Sequence, residues 1–350
     1  MGIWQGRRVL VTGGAGFIGS HLADRLMTLG ATVTVADNLS KAGNGYLLDV
    51  WKDHGLRPED TGQKGELRAG DHRLIECDLQ DVASARYAVT GQQVVFQLAA
   101  TIGGRGFIDT HPADCCGNLA LDYNVISESY RAGAEHVAYA SSACVYPVSL
   151  QTEYGSTHLL EEEEAFKDGT ANSDREYGWA KLMGEMTLHA FHGQYGLKGS
   201  AVRYVTAYGE REDDTHAIIA LIRRAVERQD PYIVWGTGEE DRDFTHVSDI
   251  VDGTILAAER ISDGTPVNLG TAKRYKIKDV VRMILDIVGF EPRELVFDTS
   301  KPTGVVTRAL DIRRAKDLLG WKPKVGLEEG LRRTIQWFAE ARPKPVETIT

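Results

Sequence analysis

Short apolar runs alternate with amphipathic stretches along residues 7–205. The run RRVLVTG precedes GFIGSHLADRLMTLG, whose apolar residues recur at helical spacing, and the apolar run ATVTVAD follows. Four further apolar runs continue the rhythm: HRLIECD, QQVVFQLAA, EHVAYAS and GSAVRYV. Strands that alternate with amphipathic helices are typical of a parallel sheet wound by helices. The pattern therefore predicts the α/β class with a doubly wound parallel sheet.

Two stretches interrupt this alternation. Residues 44–70 are rich in glycine and charge, and residues 148–175 contain the acidic run Glu161 to Glu164. A run of like charges repels itself and favours water. We therefore expect the acidic run to form a solvated helix face.

Beyond Tyr208 the pattern changes to isolated short strands and helices. KIKDVVRMILDIVGF and LEEGLRRTIQWFAEA are its clearest amphipathic helices. Because doubly wound sheets bind ligands at the carboxyl ends of their strands, a smaller α/β C-terminal lobe is expected to close over that edge and hold the substrate. The predicted divisions are a cofactor-binding domain at residues 1–206 and 244–270, a substrate lobe at 207–243 and 271–341, and a tail at 342–350.

Composition narrows the range of partners. The chain has 350 residues, of which 42% are hydrophobic and 26% charged, as in globular proteins. Its formal net charge of −10 argues against a nucleic-acid or anionic-membrane binder, because both repel a polyanion. The four cysteines show neither metal-ligand spacing nor the density of a disulfide scaffold. No window approaches the roughly 20 apolar residues of a membrane span. These features predict a soluble cytoplasmic protein without a metal site.

A glycine-rich turn joins the first predicted strand to the first predicted helix. It contains Gly13, Gly16 and Gly19, with Phe17 and Ile18 inside the helix start. Such glycines permit a tight turn and let a pyrophosphate approach the backbone N–H groups of the helix, as in the Rossmann fold. About 20 residues later the second strand ends in an acid followed by an amide, where a carboxylate accepts hydrogen bonds from ribose hydroxyls and repels a 2′-phosphate. The residues there are Asp37 and Asn38, and they favour NAD over NADP.

Tyr177 and Lys181 form the candidate catalytic pair. Their i, i+4 spacing places both side chains on one face of a helix. A lysine ammonium beside a phenol favours the phenolate and makes the tyrosine a base near neutral pH. The pair follows the segment SSACVYP, which contains Ser142.

The order of these motifs resembles the extended short-chain dehydrogenase/reductase family, in its NAD-dependent epimerase/dehydratase group, over roughly residues 7 to 340. The resemblance implies NAD as cofactor and a nucleotide-diphosphate sugar as substrate. It also implies that Tyr177 takes a proton from a sugar hydroxyl that Ser142 also contacts, while Lys181 holds the nicotinamide ribose. Further cofactor contacts are implied for Asp78, Leu79, Leu98 and Ala99. Family members commonly form homodimers through two helices, here about residues 112–132 and 177–192.

More specific motifs resemble the GDP-mannose 3,5-epimerase branch of that family. SSACVYP implies that Cys144 is an acid/base, and IGGRGFI implies that Gly104 and Arg105 lie against the sugar. This chain departs from the pattern at His216, where the branch has an acid/base lysine, and at Thr206, where the family usually has asparagine. Arg242 and Arg308 align with family arginines that reach the nucleotide diphosphate. The planar guanidinium group suits that role, because its donors match the phosphate oxygens.

These features lead to one hypothesis and several alternatives. The hypothesis is an NAD-dependent sugar-nucleotide epimerase that works through a 4-keto intermediate and exchanges protons at C3, C5 or both. The alternatives are a 4-epimerase, a 4,6-dehydratase-type enzyme and a non-catalytic NAD-binding scaffold. Cys144 alone is also compatible with a small buried apolar residue, and His216 with a surface histidine. Surface ion pairs are the alternative interpretation of the two arginines. The sequence leaves these alternatives open.

Overall fold

The computed structural model describes residues 2–41, 43, 45–169, 172–213 and 215–340, with backbone alone at 167–169. The predicted tail at 342–350 lies outside these residues.

The described chain folds into an α/β structure. Its strands are β1 (Arg8–Thr12), β2 (Thr32–Asp37), β3 (Glu59–Asp60), β4 (Glu66–Ala69), β5 (His72–Glu76), β6 (Val94–Gln97), β7 (His136–Ser142), β8 (Lys198–Tyr204), β9 (Thr206–Tyr208), β10 (Tyr232–Trp235), β11 (Asp241–Arg242), β12 (Phe244–His246), β13 (Asp263–Leu269), β14 (Tyr275–Lys276), β15 (Leu295–Asp298) and β16 (Thr307–Arg308). Its α-helices are α1 (Phe17–Thr28), α2 (Gly45–Asp53), α3 (Val82–Val89), α4 (Arg105–Thr110), α5 (Pro112–Arg131), α6 (Arg175–Tyr195), α7 (Ala217–Val226), α8 (Val247–Arg260), α9 (Ile277–Val288), α10 (Arg313–Leu319) and α11 (Leu327–Glu340).

The main sheet has nine strands in the order β13-β8-β7-β6-β1-β2-β5-β4-β3. Every pairing from β13 to β5 is parallel, whereas β4 and β3 add on antiparallel. The strand order reverses direction at β1, which lies between β2 and β6. The predicted doubly wound parallel sheet is confirmed, and its ligand-binding edge lies at the carboxyl ends of these central strands.

Helices cover both faces of this sheet. Along β1, Val9 and Val11 pack on one face with residues of α1 and α8, and Leu10 packs on the other with residues of α3 and α5. Side chains alternate between the faces of a strand, so a strand buried on both sides needs apolar residues at successive positions. This requirement explains why the predicted strands are nearly continuous apolar runs.

The two interruptions in the pattern contain more structure than the sequence predicts. Residues 44–70 include α2, which buries Trp51, and the β3–β4 hairpin at the sheet edge. The expectation of a solvated acidic helix face is wrong for Glu162. Its side chain is buried, and one of its carboxylate oxygens accepts a hydrogen bond from the Asn268 backbone N–H at 2.9 Å. The flanking Glu161 and Glu163 are exposed.

A separate apolar cluster unites α7, α9 and α11 with β10. In α9 the buried residues Val280, Val281, Ile284 and Leu285 follow helical spacing, as expected for an amphipathic helix. The predicted division into a cofactor domain and a substrate lobe stays a prediction. Among the described helices, none is both long and apolar enough to cross a bilayer.

Acid should weaken the sheet at His136, the first residue of β7. Its Nε2 lies 3.1 Å from Ser200 Oγ in the core, and burial lowers its pKa from 6.5 to about 4, with the charges of Lys198 and Arg7 acting in the same direction. Between these two pH values the unfolded chain binds the proton more readily, so the free energy of unfolding falls as the pH falls from 6.5 towards 4.

Replacing His136 with glutamine should reduce that slope by up to about 1.4 kcal/mol per pH unit. Urea unfolding followed by fluorescence at a series of pH values measures this effect. The matched control is His189→Gln, because His189 is exposed. An equal change of slope in both variants would contradict the assignment to His136.

Candidate active site

The glycine-rich turn lies at the carboxyl end of β1. Gly13 has φ +66°, and a Cβ on it would lie 2.9 Å from the Ala99 Cα. A Cβ on Gly19 would lie 2.1 Å from the Gly13 carbonyl oxygen. The turn therefore accepts only glycine at these two positions. Gly16 is the N-cap of α1 and has no side chain with which to cap the helix. The N–H groups of the first turn of α1 suit an anion such as a pyrophosphate.

Asp37 stands beside this turn at the end of β2. Its Oδ2 accepts a hydrogen bond from the Ala15 N–H at 3.0 Å, and its Oδ1 accepts one from the Leu39 N–H at 2.8 Å. Burial raises the pKa of Asp37, while backbone donors from Leu39, Ala15 and Gly16 oppose that rise. The structure thus brings the acidic strand end and the glycine turn together, as the sequence predicts.

Of the other predicted cofactor residues, three lie in turns that follow strands of the sheet and one has its side chain in the core. The Leu98 and Ala99 N–H groups both donate to Thr12 Oγ1 at 3.0 Å, which holds their turn against the end of β1. Asp78 Oδ1 accepts a hydrogen bond from the Gln80 N–H at 2.9 Å. The Leu79 side chain packs in the core, so a cofactor contact at Leu79 would have to come from its backbone.

Tyr177 and Lys181 are both buried at the start of α6. Tyr177 lies beside Ser142 at the end of β7, and Ser142 favours ionisation of the phenol. Burial raises the pKa of Tyr177 well above its ordinary value, and nearby Cys144 adds to the rise. Burial also lowers the pKa of Lys181, against the charge of Asp122. Burial dominates at Tyr177, and a lowering of its pKa by Lys181 stays a prediction.

A buried polar chain that the sequence did not predict leads from β1 to Lys181. The Thr12 hydroxyl donates to Gln97 Oε1 at 2.6 Å, and Gln97 Nε2 donates to Asp122 Oδ1 at 2.9 Å. The Tyr139 hydroxyl donates to Asp122 Oδ2 at 2.7 Å, and the Lys181 Nζ lies 4.9 Å from the centroid of the Tyr139 ring. Burial raises the pKa of Asp122. These hydrogen bonds fix the Tyr139 ring, and the Lys181 ammonium lies over that ring.

Cys144 lies in the 3-10 helix Ala143–Val145, directly after β7. Its N–H donates to Ser142 Oγ at 3.1 Å, and its carbonyl accepts from the Asp174 N–H at 2.8 Å. A Cβ on Gly178 would lie 2.2 Å from the same carbonyl oxygen. The start of α6 is therefore docked on the cysteine turn, and Cys144 and Tyr177 belong to one small apolar cluster.

Arg308 reaches the same place from β16. Its Nη1 donates to Cys144 Sγ at 3.4 Å, its Nη2 to Asp174 Oδ2 at 3.1 Å and its Nε to Gln151 Oε1 at 2.5 Å. Arg105 of the predicted sugar loop donates to the same Asp174 at 2.9 Å. Burial opposes ionisation of Asp174, but the two arginines lower its pKa. A diphosphate contact for Arg308 stays a prediction.

Two other predicted substrate residues lie nearby. Arg242 donates to backbone carbonyls of the adjoining loop, including those of Thr303 at 2.8 Å and Val305 at 2.7 Å. Burial and the charge of Arg308 lower the pKa of Arg242 to about 10. Thr206 is half-buried on β9, where it pairs with Phe244 of β12.

His216 lies at the N-cap of α7, beside the glycine loop. A Cβ on Gly104 would lie 2.2 Å from the Thr215 carbonyl oxygen, so the loop passes directly against this segment. His216 Nδ1 lies 3.6 Å from Glu212 Oε1 and 3.5 Å from Asp213 Oδ1. Burial opposes protonation of the imidazole, but both carboxylates favour it, and its pKa is raised. Burial raises the pKa of Glu212 to about 8. The sequence did not single out Glu212.

Within the described ranges, no group of three His, Cys, Asp or Glu side chains is placed to hold a metal ion. The candidate site has three parts. They are the glycine turn with Asp37, the group of Ser142, Tyr177 and Lys181, and the Cys144 turn with Arg308.

Comparison with known proteins gives consistent matches. The model of the NAD dependent epimerase/dehydratase family matches residues 9–270. GDP-mannose 3,5-epimerase 1 of Oryza sativa subsp. japonica is 30% identical over 339 residues, which cover 95% of this chain and 82% of that protein. The probable GDP-L-fucose synthase 1 of the same plant is 28% identical over 347 residues, which cover 96% and 93%. The crystal structure of UDP-glucose 4-epimerase from Thermotoga maritima with UDP-glucose superposes with a TM-score of 0.80 at 26% identity, covering 95% of this chain and 99% of that one.

Proposed function

This chain belongs to the NAD-dependent epimerase/dehydratase family, and on that premise we propose that it is a sugar-nucleotide epimerase that exchanges protons at C3, C5 or both through a 4-keto sugar. The observation that carries the proposal is the position of Cys144. Its turn is docked on the start of α6, so that an ionisable thiol lies beside Ser142 and Tyr177. A 4-epimerase needs no proton-transfer group there.

The residues at the edge of the sheet fit NAD, the cofactor of this family. The glycine turn has no room for a Cβ, and it leads into the N-terminus of α1, so a pyrophosphate can approach the backbone there. Asp37 can accept hydrogen bonds from the ribose hydroxyls. When bound, NAD supplies the hydride acceptor that oxidises the sugar. The Lys181 ammonium would hold the nicotinamide ribose from its place over the Tyr139 ring.

Tyr177 and Ser142 act on the sugar hydroxyl at C4. Tyr177 accepts the hydroxyl proton, and Ser142, which lies beside the phenol, orients the hydroxyl. Because burial raises the pKa of Tyr177, the positive charges of Lys181 and of bound NAD would have to stabilise the phenolate that accepts this proton. Once protonated, the phenol can return the proton at the end of the cycle.

Cys144 and His216 act on the ring carbons next to C4. A carbonyl at C4 acidifies the hydrogens on C3 and C5, so that a thiolate near neutral pH is a sufficient base. The Asp213 carboxylate favours the protonated form of His216 and raises its pKa against the effect of burial. We assign His216 as the acid that supplies a proton to the opposite face of the ring.

Solvent deuterium tests this proposal. The wild-type enzyme, incubated in D₂O with its nucleotide sugar, should place deuterium at C3 or C5. Cys144→Ser should lower the rate of incorporation by about 10²-fold, because the hydroxyl ionises far less readily than the thiol. The matched control is Cys116→Ser, since Cys116 is exposed on α5. NMR of the sugar ring measures the incorporation, and turnover without deuterium in the wild type would refute the epimerisation at C3 and C5.

A 4-epimerase is the second candidate, because this chain superposes well on the Thermotoga maritima 4-epimerase. It requires only Ser142, Tyr177 and Lys181, and it leaves the product free of solvent deuterium. A dehydratase is distinguished by mass, because its product has lost one water. For each candidate we propose the same substrate contacts, namely Gly104, Arg105, Thr206, Arg242 and Arg308.

We propose a homodimer through α5 and α6. Trp179, Met183 and Met186 are exposed at helical spacing on α6, and Leu119 and Tyr123 are exposed on the neighbouring α5. Apolar side chains that share one exposed face mark an association surface.

Replacing Met183 and Met186 together with glutamate should convert the dimer to a monomer, because an interface core does not tolerate unpaired charges. Light scattering coupled to size exclusion measures the mass. Leu318→Glu on α10 is the control, since Leu318 is exposed elsewhere. A monomeric wild type, or a double variant that stays dimeric, would contradict this surface.

A further inference from the structure

The contact between Arg308 and Cys144 assigns a role to an arginine that the sequence placed at the diphosphate. We propose that Arg308 is a catalytic residue that stabilises the thiolate form of Cys144 through its Nη1–Sγ contact of 3.4 Å. This inference deepens the proposed function, because it states how the thiol becomes a base.

The guanidinium is held in one orientation from two other sides. Its Nε donates to Gln151 Oε1 at 2.5 Å, and its Nη2 donates to Asp174 Oδ2 at 3.1 Å. The Gln151 amide is itself oriented, because its Nε2 donates to the Pro147 carbonyl at 3.0 Å. With Nε and Nη2 occupied in this way, the planar group directs Nη1 at the sulfur.

The Arg308 guanidinium is the positive charge that contacts the sulfur. Asp174 pairs with both Arg308 and Arg105, and Arg105 pairs in addition with Asp109 at 2.9 Å. The other titratable groups that face Cys144 are Tyr177 on α6 and Cys115 on α5. The pKa of both is raised, chiefly by burial, which keeps them neutral. Since the Arg308 side chain is only 12% exposed, solvent screens its charge weakly.

A cation that donates to sulfur favours the thiolate over the thiol. Cys144 is then the base of the first proton transfer and His216 the acid. In that step the C–H bond next to the C4 carbonyl breaks and an S–H bond forms. The electron pair of the C–H bond moves onto the carbonyl oxygen as an enolate.

Alkylation by iodoacetamide tests the contact directly, because only the thiolate reacts. The experiment uses the full chain with Cys116→Ser, and peptide mass spectrometry follows Cys144. Arg308→Met should slow alkylation of Cys144 by about 10-fold or more at pH 7, and the difference should vanish at high pH, where the thiolate forms without help. Arg105→Met is the matched control, since Arg105 shares Asp174 with Arg308 but makes no hydrogen bond to the sulfur. It should change the rate far less than Arg308→Met does.

A second variant keeps the test decisive if Arg308→Met does not fold. Asp174→Asn retains a hydrogen-bond acceptor for Arg308 and removes the competing negative charge, so it should accelerate alkylation of Cys144 at pH 7. An unchanged rate in Arg308→Met, or a slower rate in Asp174→Asn, would overturn the inference. Alkylation does not require turnover. A thiol that depends on Arg308 in an enzyme without deuterium exchange would therefore refute the proposed function and leave only the stabilisation of the thiolate by Arg308.

Discussion

Replacing Tyr177 with phenylalanine should lower kcat by about 10³-fold, because the variant keeps the buried ring but has no hydroxyl to accept and return the C4 proton. Phenylalanine fills the same space in the apolar cluster that also contains Cys144 and Ile108. The free energy of unfolding should therefore change little in comparison with kcat. The measurement is the steady-state rate of epimer formation with the nucleotide sugar identified in the deuterium assay.

The matched control for this variant is Tyr204→Phe. Tyr204 is a second buried tyrosine, and its hydroxyl lies 2.8 Å from Thr254 Oγ1 in the core. It should leave kcat essentially unchanged. A Tyr177→Phe enzyme with wild-type kcat would refute the assigned proton transfer and revive the interpretation of the chain as a non-catalytic NAD-binding scaffold.

Replacing Arg203 with methionine should lower the free energy of unfolding by about 3–5 kcal/mol, because it leaves a buried carboxylate without its partner. Arg203 is fully buried on β8 and binds both carboxylate oxygens of Glu185 on α6, at 2.9 and 2.7 Å. It also donates to the Tyr146 hydroxyl at 3.1 Å, and Ser141 donates to Glu185. Chemical denaturation measures the change.

A second substitution separates the two causes of that loss. Arg203→Met combined with Glu185→Met removes both charges, so it should recover much of the stability that the single variant loses. The surface control is Arg333→Met, whose exposed ion pair with Glu329 contributes about 0.5 kcal/mol or less. A single variant that loses no more stability than this control would contradict the importance of the buried pair.

The sequence predicts those parts of the fold in which the local apolar pattern matches the burial of the residues in the folded protein. In β1, β2, β6 and β7 the apolar run, the strand and the double burial coincide. The hairpin β3–β4 was not predicted, because β3 is exposed and β4 buries only its two end residues, so neither strand shows an alternation of apolar and polar positions. Glu162 shows the opposite case. The sequence pattern assigns this charged residue to solvent, but its side chain is buried and accepts a hydrogen bond from the Asn268 backbone N–H.

The candidate site divides in the same way. Tyr177 and Lys181 are predictable, because both lie on one helix and their spacing defines their face. Asp122 and Glu212 are not, since each acquires its role from packing against residues distant in sequence or from burial itself. A sequence signal exists for Asp122, which, like Gln97, is polar at a position that the helix or strand pattern assigns to the core.

The docking of Gly178 on the Cys144 carbonyl has an evolutionary consequence. That close approach, like the hydrogen bond from the Asp174 N–H, is made by the backbone of residue 144 and not by its side chain. The distance between this turn and Tyr177 is therefore insensitive to which side chain residue 144 carries. Natural selection is free to exchange that side chain without disturbing the oxidation step, so one scaffold can acquire different outcomes after a shared first reaction.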